Sequence, residues 1–157
     1  MTETADPRAV AEAGLKLAGM DYIQAIFRGE LPAPPISELV GFRGVEAEPG
    51  RAVFAMEPGP QHYNPIGSVH GGIALTLLDS AMGCAVHTLL EAGVGYTTLE
   101  VKTNFVRPIT ADTGVIRCEG TVLHRGSRVA TAEGRLTDAA GRLLAHGTTT
   151  CLLFPLT

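Results

Sequence analysis

The stretch that most restricts this 157-residue chain runs from Asn64 to Glu91. It begins as a polar loop containing Pro65 and Gly67, and turns apolar at His70-Gly71-Gly72. From Ile73 to Leu90 nearly every residue is apolar or small, with no proline and no period-2 alternation, so the pattern predicts a helix. Apolar residues lie all round it, which predicts burial. Thr76, Asp79, Ser80, Gly83 and His87 are the exceptions and fall on one face at helical spacing. Asp is rare in a buried helix unless it is paired or working. Asp79 therefore either hydrogen-bonds a neighbouring loop or takes part in chemistry.

The helix start adds a second feature. Gly71 and Gly72 have no side chain to keep a ligand from their N–H groups. Unpaired N–H groups at a helix N-terminus favour an oxygen that gains negative charge. An oxyanion site and a carboxylate on one helix point to acyl transfer. Gly71 and Asp79 are eight residues apart, about 12 Å along a helix axis. Reacting atoms must meet at about 3 Å. One copy of the helix does not easily supply both groups, whereas two antiparallel copies related by a two-fold axis can. The sequence thus predicts an obligate homodimer with shared sites.

Asn64, His70-Gly71-Gly72 and Asp79 stand in the pattern N-x5-H-G-G-x7-D. Asn104-Phe105-Val106-Arg107-Pro108, His124-Arg125-Gly126-Ser127-Arg128 and the segment Asp138 to Ala145 follow in order. Over about residues 36–155 this resembles the hotdog-fold acyl-CoA thioesterases, in particular their phenylacetate-pathway (PaaI-like) branch. The resemblance implies a sheet wrapped round the long helix, edge-to-edge pairing of two such sheets, and a dimer of dimers. It implies hydrolysis of an acyl-coenzyme A thioester, with Asp79 as nucleophile or as general base and the Gly71 N–H polarising the carbonyl. Asn64 would hold the water or the carboxylate, or satisfy its own loop. His70 would orient the loop or contact the thioester.

The family also places a hydroxyl near the start of the strand after the helix. Counting back from Pro108 selects Thr98, whereas strand alternation would turn Thr97 inward. Some aromatic-acyl relatives carry Glu at the Asp79 position and a hydroxyl one turn later. Here that later residue is Gly83, which favours the phenylacetyl-type branch and leaves room for an acyl group or for close helix packing. Gly72 and Gly83 are thus candidate substrate contacts. Arg107, Arg125 and Arg128 are candidates for coenzyme A phosphates, with Ser127 in the turn between the last two; a solvated turn is the alternative.

The rest of the chain sets bounds. A 157-residue chain fits one core, and 45% hydrophobic with 18% charged residues describes a globular protein. Net charge is −4, which argues against nucleic acid as a general partner. Cys84, Cys118 and Cys151 lie in apolar stretches and read as reduced core thiols, consistent with a cytoplasmic location. The five histidines are scattered, so no metal is expected, and no cofactor beyond the coenzyme A of the substrate. No signal peptide is visible, and Asp79 and His87 make the apolar helix a core element in preference to a membrane span.

Residues 1 to 6 are expected to be disordered. Asp6-Pro7 starts a predicted helix over about 7–28, with Gly29 ending it; Gly14 and Gly19 weaken it enough that a break is the alternative. Pro32, Pro34 and Pro35 predict an extended connector, so residues 1–35 form an N-terminal segment and 36–157 the hotdog domain. That segment is read as a packing helix or as a cover over the acyl pocket. Segments 37–48 and 51–57 predict a hairpin about Glu48-Pro49-Gly50. After the helix, closed near Gly93, four strands are predicted at about 95–107, 113–125, 128–138 and 142–154. The fold class is α+β, with about six antiparallel strands covering one long helix. Two other functions fit such a fold: a non-catalytic acyl-ligand binder, and an acyl-CoA hydratase. A binder gains nothing from an ionised buried acid, and a hydratase needs a His placed for proton transfer.

Overall fold

A computed structural model describes residues 6–156. The helices are α1 (Pro7–Gly14), α2 (Gly19–Phe27), α3 (Pro35–Val40) and α4 (Gly71–His87). The strands are β1 (Phe42–Glu48), β2 (Arg51–Met56), β3 (Val94–Phe105), β4 (Ile116–Arg125), β5 (Val129–Thr137) and β6 (Leu143–Pro155). They form one six-stranded antiparallel sheet in the order β1-β2-β4-β5-β6-β3. The sheet curls round α4, which is the wrapped arrangement expected of a hotdog fold.

The reason α4 sits at the centre is visible in its residues. Ala74, Leu77, Leu78, Ala81, Met82, Ala85 and Val86 are all buried, and they cover about half the helix circumference. They meet Phe54, Met56, Ile116, Cys118, Ala130, Ala132, Leu136 and Ala145 from the inner face of the sheet. Gly120 on β4 and Gly134 on β5 admit the helix. A Cβ on Gly120 would stand 2.3 Å from the Ala81 backbone, and one on Gly134 2.9 Å from Leu78 Cδ2.

In the N-terminal segment the break allowed by Gly14 and Gly19 is realised in place of one continuous helix. The segment is two helices, broken between Leu15 and Ala18. The break lets α2 dock on the far end of α4, where the Gly19 N–H donates to Leu90 O at 2.8 Å. A Cβ on Gly19 would stand 1.8 Å from His87 O, so the glycine that weakens a continuous helix is the one the contact requires. Asp6 caps α1, its Oδ1 accepting from the Arg8 N–H at 2.9 Å. Disorder is predicted for residues 1–6; Asp6 is placed as this cap, and residues 1–5 lie outside the described residues.

The connector is also partly helical. Pro35 occupies the first turn of α3 and Gly41, at φ 84°, closes it in the left-handed region, so β1 starts at Phe42 and not at residue 37. Four strands after α4, and the hairpin before it, follow the predicted order. Among the described residues no helix is long and apolar enough to cross a membrane.

Candidate active site

The loop from Gly59 to Val69 leads into α4 and is tied together by its own polar groups. Asn64 Oδ1 accepts from the N–H groups of Ile66 (3.0 Å) and Ser68 (3.2 Å), and its Nδ2 donates to Ser68 Oγ at 3.1 Å. Asn64 thus fixes the loop, and one of its two Nδ2 hydrogens remains for another acceptor. The chain then runs along Ile109 and His62, whose carbonyls accept from the N–H groups of Val69 and His70 at 2.8 Å.

His70 is the N-cap of α4, and its Nδ1 accepts from the Gly72 N–H at 2.8 Å. That bond occupies the Gly72 donor, which sequence reasoning offers to the substrate. With Nδ1 accepting, a neutral His70 ring carries its proton on Nε2. Among the described residues no acceptor faces the Gly71 N–H, which is the donor left over at the helix start. Gly71 borders a cavity of about 460 Å³ with Asn64, His70, Phe105, Arg107 and Leu144. The Phe105 ring, 59% exposed, lies over it; a Cβ on Gly71 would stand 2.9 Å from Phe105 Cζ.

Asp79 lies two turns further along and opens into a different cavity, of about 470 Å³, lined by Ile36, Leu75, Thr76, Thr98 and Val101. The Thr98 hydroxyl donates to Asp79 Oδ1 at 2.9 Å. Alternation along β3 predicts that Thr97 would take this place. A β-bulge between Thr98 and Glu100 changes the parity, so Tyr96 and Thr98 face α4 before it and Val101 and Thr103 after it. Leu99, the extra residue, is exposed in consequence. Thr76 is a neighbour of Asp79 that the polar stripe contains, and its hydroxyl donates to Gly72 O at 2.8 Å.

The far half of that stripe is covered. Tyr96 fills the space that Gly83 leaves: a Cβ there would stand 2.8 Å from the Tyr96 hydroxyl oxygen. The His87 ring lies between Tyr22 of α2 and Tyr96, tilted against both, with centroids 5.4 Å from each. Burial pushes the His87 imidazole below its usual range, the Tyr96 phenol well above its own, and the Cys84 thiol up to about 12. Cys84, Cys118 and Cys151 are free. Gly83 is therefore a packing position for Tyr96 in this chain.

The three arginines divide between two places. Arg107 borders the Gly71 cavity and donates to Leu143 O at 2.7 Å. Arg125, Ser127 and Arg128 lie at the β4–β5 turn, where Ser127 and Arg128 border a separate cavity with Val94 and Phe154. Within one chain they do not converge with Arg107. Among the described residues no three His, Cys, Asp or Glu side chains are grouped to hold a metal.

Ile36, Leu75 and Val101 are cavity residues that sequence reasoning missed. Each reads as an ordinary apolar position, and their meeting depends on pairing between distant segments.

The chain is similar to several known proteins. A profile of the thioesterase superfamily matches residues 66–145. A protein of Saccharolobus solfataricus provisionally named an esterase is 32% identical over 123 residues, covering 78% of this chain and 86% of that protein. Human acyl-coenzyme A thioesterase 13 is 29% identical over 104 residues, 66% of this chain and 73% of that protein. A phenylacetic acid degradation-related protein of Ralstonia eutropha, provisionally named a thioesterase, superposes with a TM-score of 0.76 at 29% identity. That alignment covers 83% of this chain and 98% of the other. With its profile match beginning just before the His70-Gly71-Gly72 cap and reaching into β6, the chain belongs to the thioesterase superfamily.

Proposed function

We propose that the protein hydrolyses acyl-coenzyme A thioesters carrying an aryl-acetyl, related aromatic or medium-chain acyl group, at sites shared by two copies of the chain. The observation that carries this reading is a separation. The Asp79–Thr98 pair and the free Gly71 N–H open into different cavities, about 12 Å apart along α4. Each cavity holds half of what acyl transfer needs. A second copy running antiparallel would bring Gly71 of one chain to Asp79 of the other.

In this reading the Gly71 N–H, with the α4 dipole behind it, donates to the thioester oxygen and stabilises the negative charge that develops there. Asp79 then acts in one of two ways. As a general base it takes a proton from water, whose oxygen attacks the carbonyl carbon. As a nucleophile it forms an anhydride that water opens. Either way the C–S bond breaks, the thiolate leaves and is protonated, and the net products are a carboxylic acid and coenzyme A. The Thr98 hydroxyl holds Asp79 Oδ1, so that Oδ2 is the oxygen left to work. A thiolate is a good leaving group, so no further acid is required. Arg107 stands beside the Gly71 cavity as a phosphate ligand, while Arg125 and Arg128 would reach the substrate only across a subunit boundary.

Complementation tests the shared site. Two inactive variants, Gly71→Pro and Asp79→Asn, are refolded together in equal amounts. Random pairing makes half the dimers mixed, each with one intact site, so about a quarter of wild-type thiol release should return. No recovery, with mixed dimers demonstrated by tag capture, removes the shared site.

A further inference from the structure

The Asp79 cavity has one wall from outside the helix and sheet. Ile36, on α3, faces it with Leu75 from the preceding turn of α4 and Val101 from beyond the β3 bulge. We propose that α3 is a specificity element for this site, and that Ile36 contacts the acyl group and limits its size. This inference rests on the thioesterase reading.

Two observations support it. The first is that α3 is held in place. Ser37 Oγ donates to Pro34 O at 2.7 Å, Gly41 closes the helix, and Val40 and Phe42 are buried in the core. The buried His62 ring ties its end down. Nδ1 accepts from the Gly59 N–H at 2.9 Å, which places the proton on Nε2, and Nε2 donates to Val40 O at 2.9 Å. A wall fixed at both ends can discriminate by size, because it cannot yield without breaking these bonds.

The second is the chemistry of the lining. Ile36, Leu75 and Val101 are apolar, Thr76 and Thr98 have hydroxyls engaged in hydrogen bonds, and Asp79 is the one charged group. A carboxylate with no cation beside it repels an acyl group bearing its own carboxylate. The cavity therefore suits an uncharged apolar acyl group. An enclosed apolar space of about 150 Å³ already holds a benzene ring. At about 470 Å³ and open on one side, this one takes an aryl-acetyl or medium-chain group.

The experiment measures kcat/KM for phenylacetyl-CoA, hexanoyl-CoA, acetyl-CoA and succinyl-CoA with wild type, Ile36→Trp and Ile36→Ala. Ile36 is 46% exposed on a surface helix, so neither change threatens the core. In Ile36→Trp the ratio of phenylacetyl-CoA to acetyl-CoA should fall about tenfold or more, the range that pocket-filling groups produce. In Ile36→Ala preference should move toward the bulkier esters, and succinyl-CoA should be the poorest substrate of wild type. Turnover with ratios unchanged in both variants overturns the role of α3 alone. A wild type that releases thiol from none of the four overturns the thioesterase reading, and this inference with it.

Discussion

Replacing Gly71 with proline, set beside Gly71→Ala, isolates the helix-start donor from the rest of that residue. Gly71 is the first residue of α4, a position where proline is favoured because the N–H has no helical partner. The preceding residue also permits it: His70, at φ −60° and ψ 134°, is near the polyproline conformation and outside the α region that a following proline disfavours. No hydrogen bond to a described residue is lost. The nearest neighbour of the new Cβ is Phe105, 2.9 Å away at Cζ. That ring tip is exposed and can swing aside, so the folding cost should stay under about 1 kcal/mol. Removing an oxyanion donor, by contrast, typically raises the barrier by about 2.7–4 kcal/mol, a loss of roughly 100- to 1000-fold in kcat. Gly71→Ala is the control, since it adds the same Cβ and keeps the N–H. Thermal melts and thiol-release kinetics on phenylacetyl-CoA should show both variants folded and only the proline variant nearly inactive. If the two variants lose activity equally, the donor has no part in the chemistry and the loss belongs to Phe105.

Three further outcomes follow from the geometry. Asp79→Asn preserves an acceptor for the Thr98 hydroxyl, so the melting temperature should hold while kcat falls at least about a hundredfold, a loss typical of a group that moves protons in the transition state; near-normal turnover would end the assignment. Thr98→Val removes a hydrogen bond to a charged group, worth at most about 1.5–3 kcal/mol, so kcat/KM should drop by no more than roughly 150-fold and recover in Thr98→Ser. Burial lowers the His87 pKa, so the unfolded chain takes up the proton more readily than the folded one. This part of the stability is complete above the ordinary His value of about 6.5 and drains away as pH falls through the lower folded value. Melting temperatures between pH 7 and pH 5 should decline less in His87→Phe than in wild type.

The central helix, its N-terminal donor and its carboxylate are legible because each rests on local pattern: an apolar run, a pair of glycines, one acid on a face. Thr98 is legible only by resemblance. Its inward position is set by the Leu99 bulge, which depends on the pairing with β6 and carries no signal of its own. The same limit explains α3. Pro34 and Pro35 read as an extended connector, yet proline is as comfortable in the first turn of a helix, and what decides is the docking of Val40 and the His62 bond. Gly14 and Gly19 mark the N-terminal break in sequence, but only the approach of α2 to His87 O explains why the chain tolerates it. Gly83 is the opposite case: a gap in the sequence that the fold fills with Tyr96.

The extra residue in β3 has an effect on the outside of the molecule as well. β3 is the last strand of the sheet, and one margin of its main chain faces no other strand. A long, regular margin of that kind invites any extended peptide to stick to it. Leu99 spoils the regularity midway, so a straight stranger would lose its footing there. A second copy meeting it antiparallel across a two-fold axis would bring the same irregularity with it. The kink that aims a hydroxyl at Asp79 thus also interrupts the open edge of the sheet.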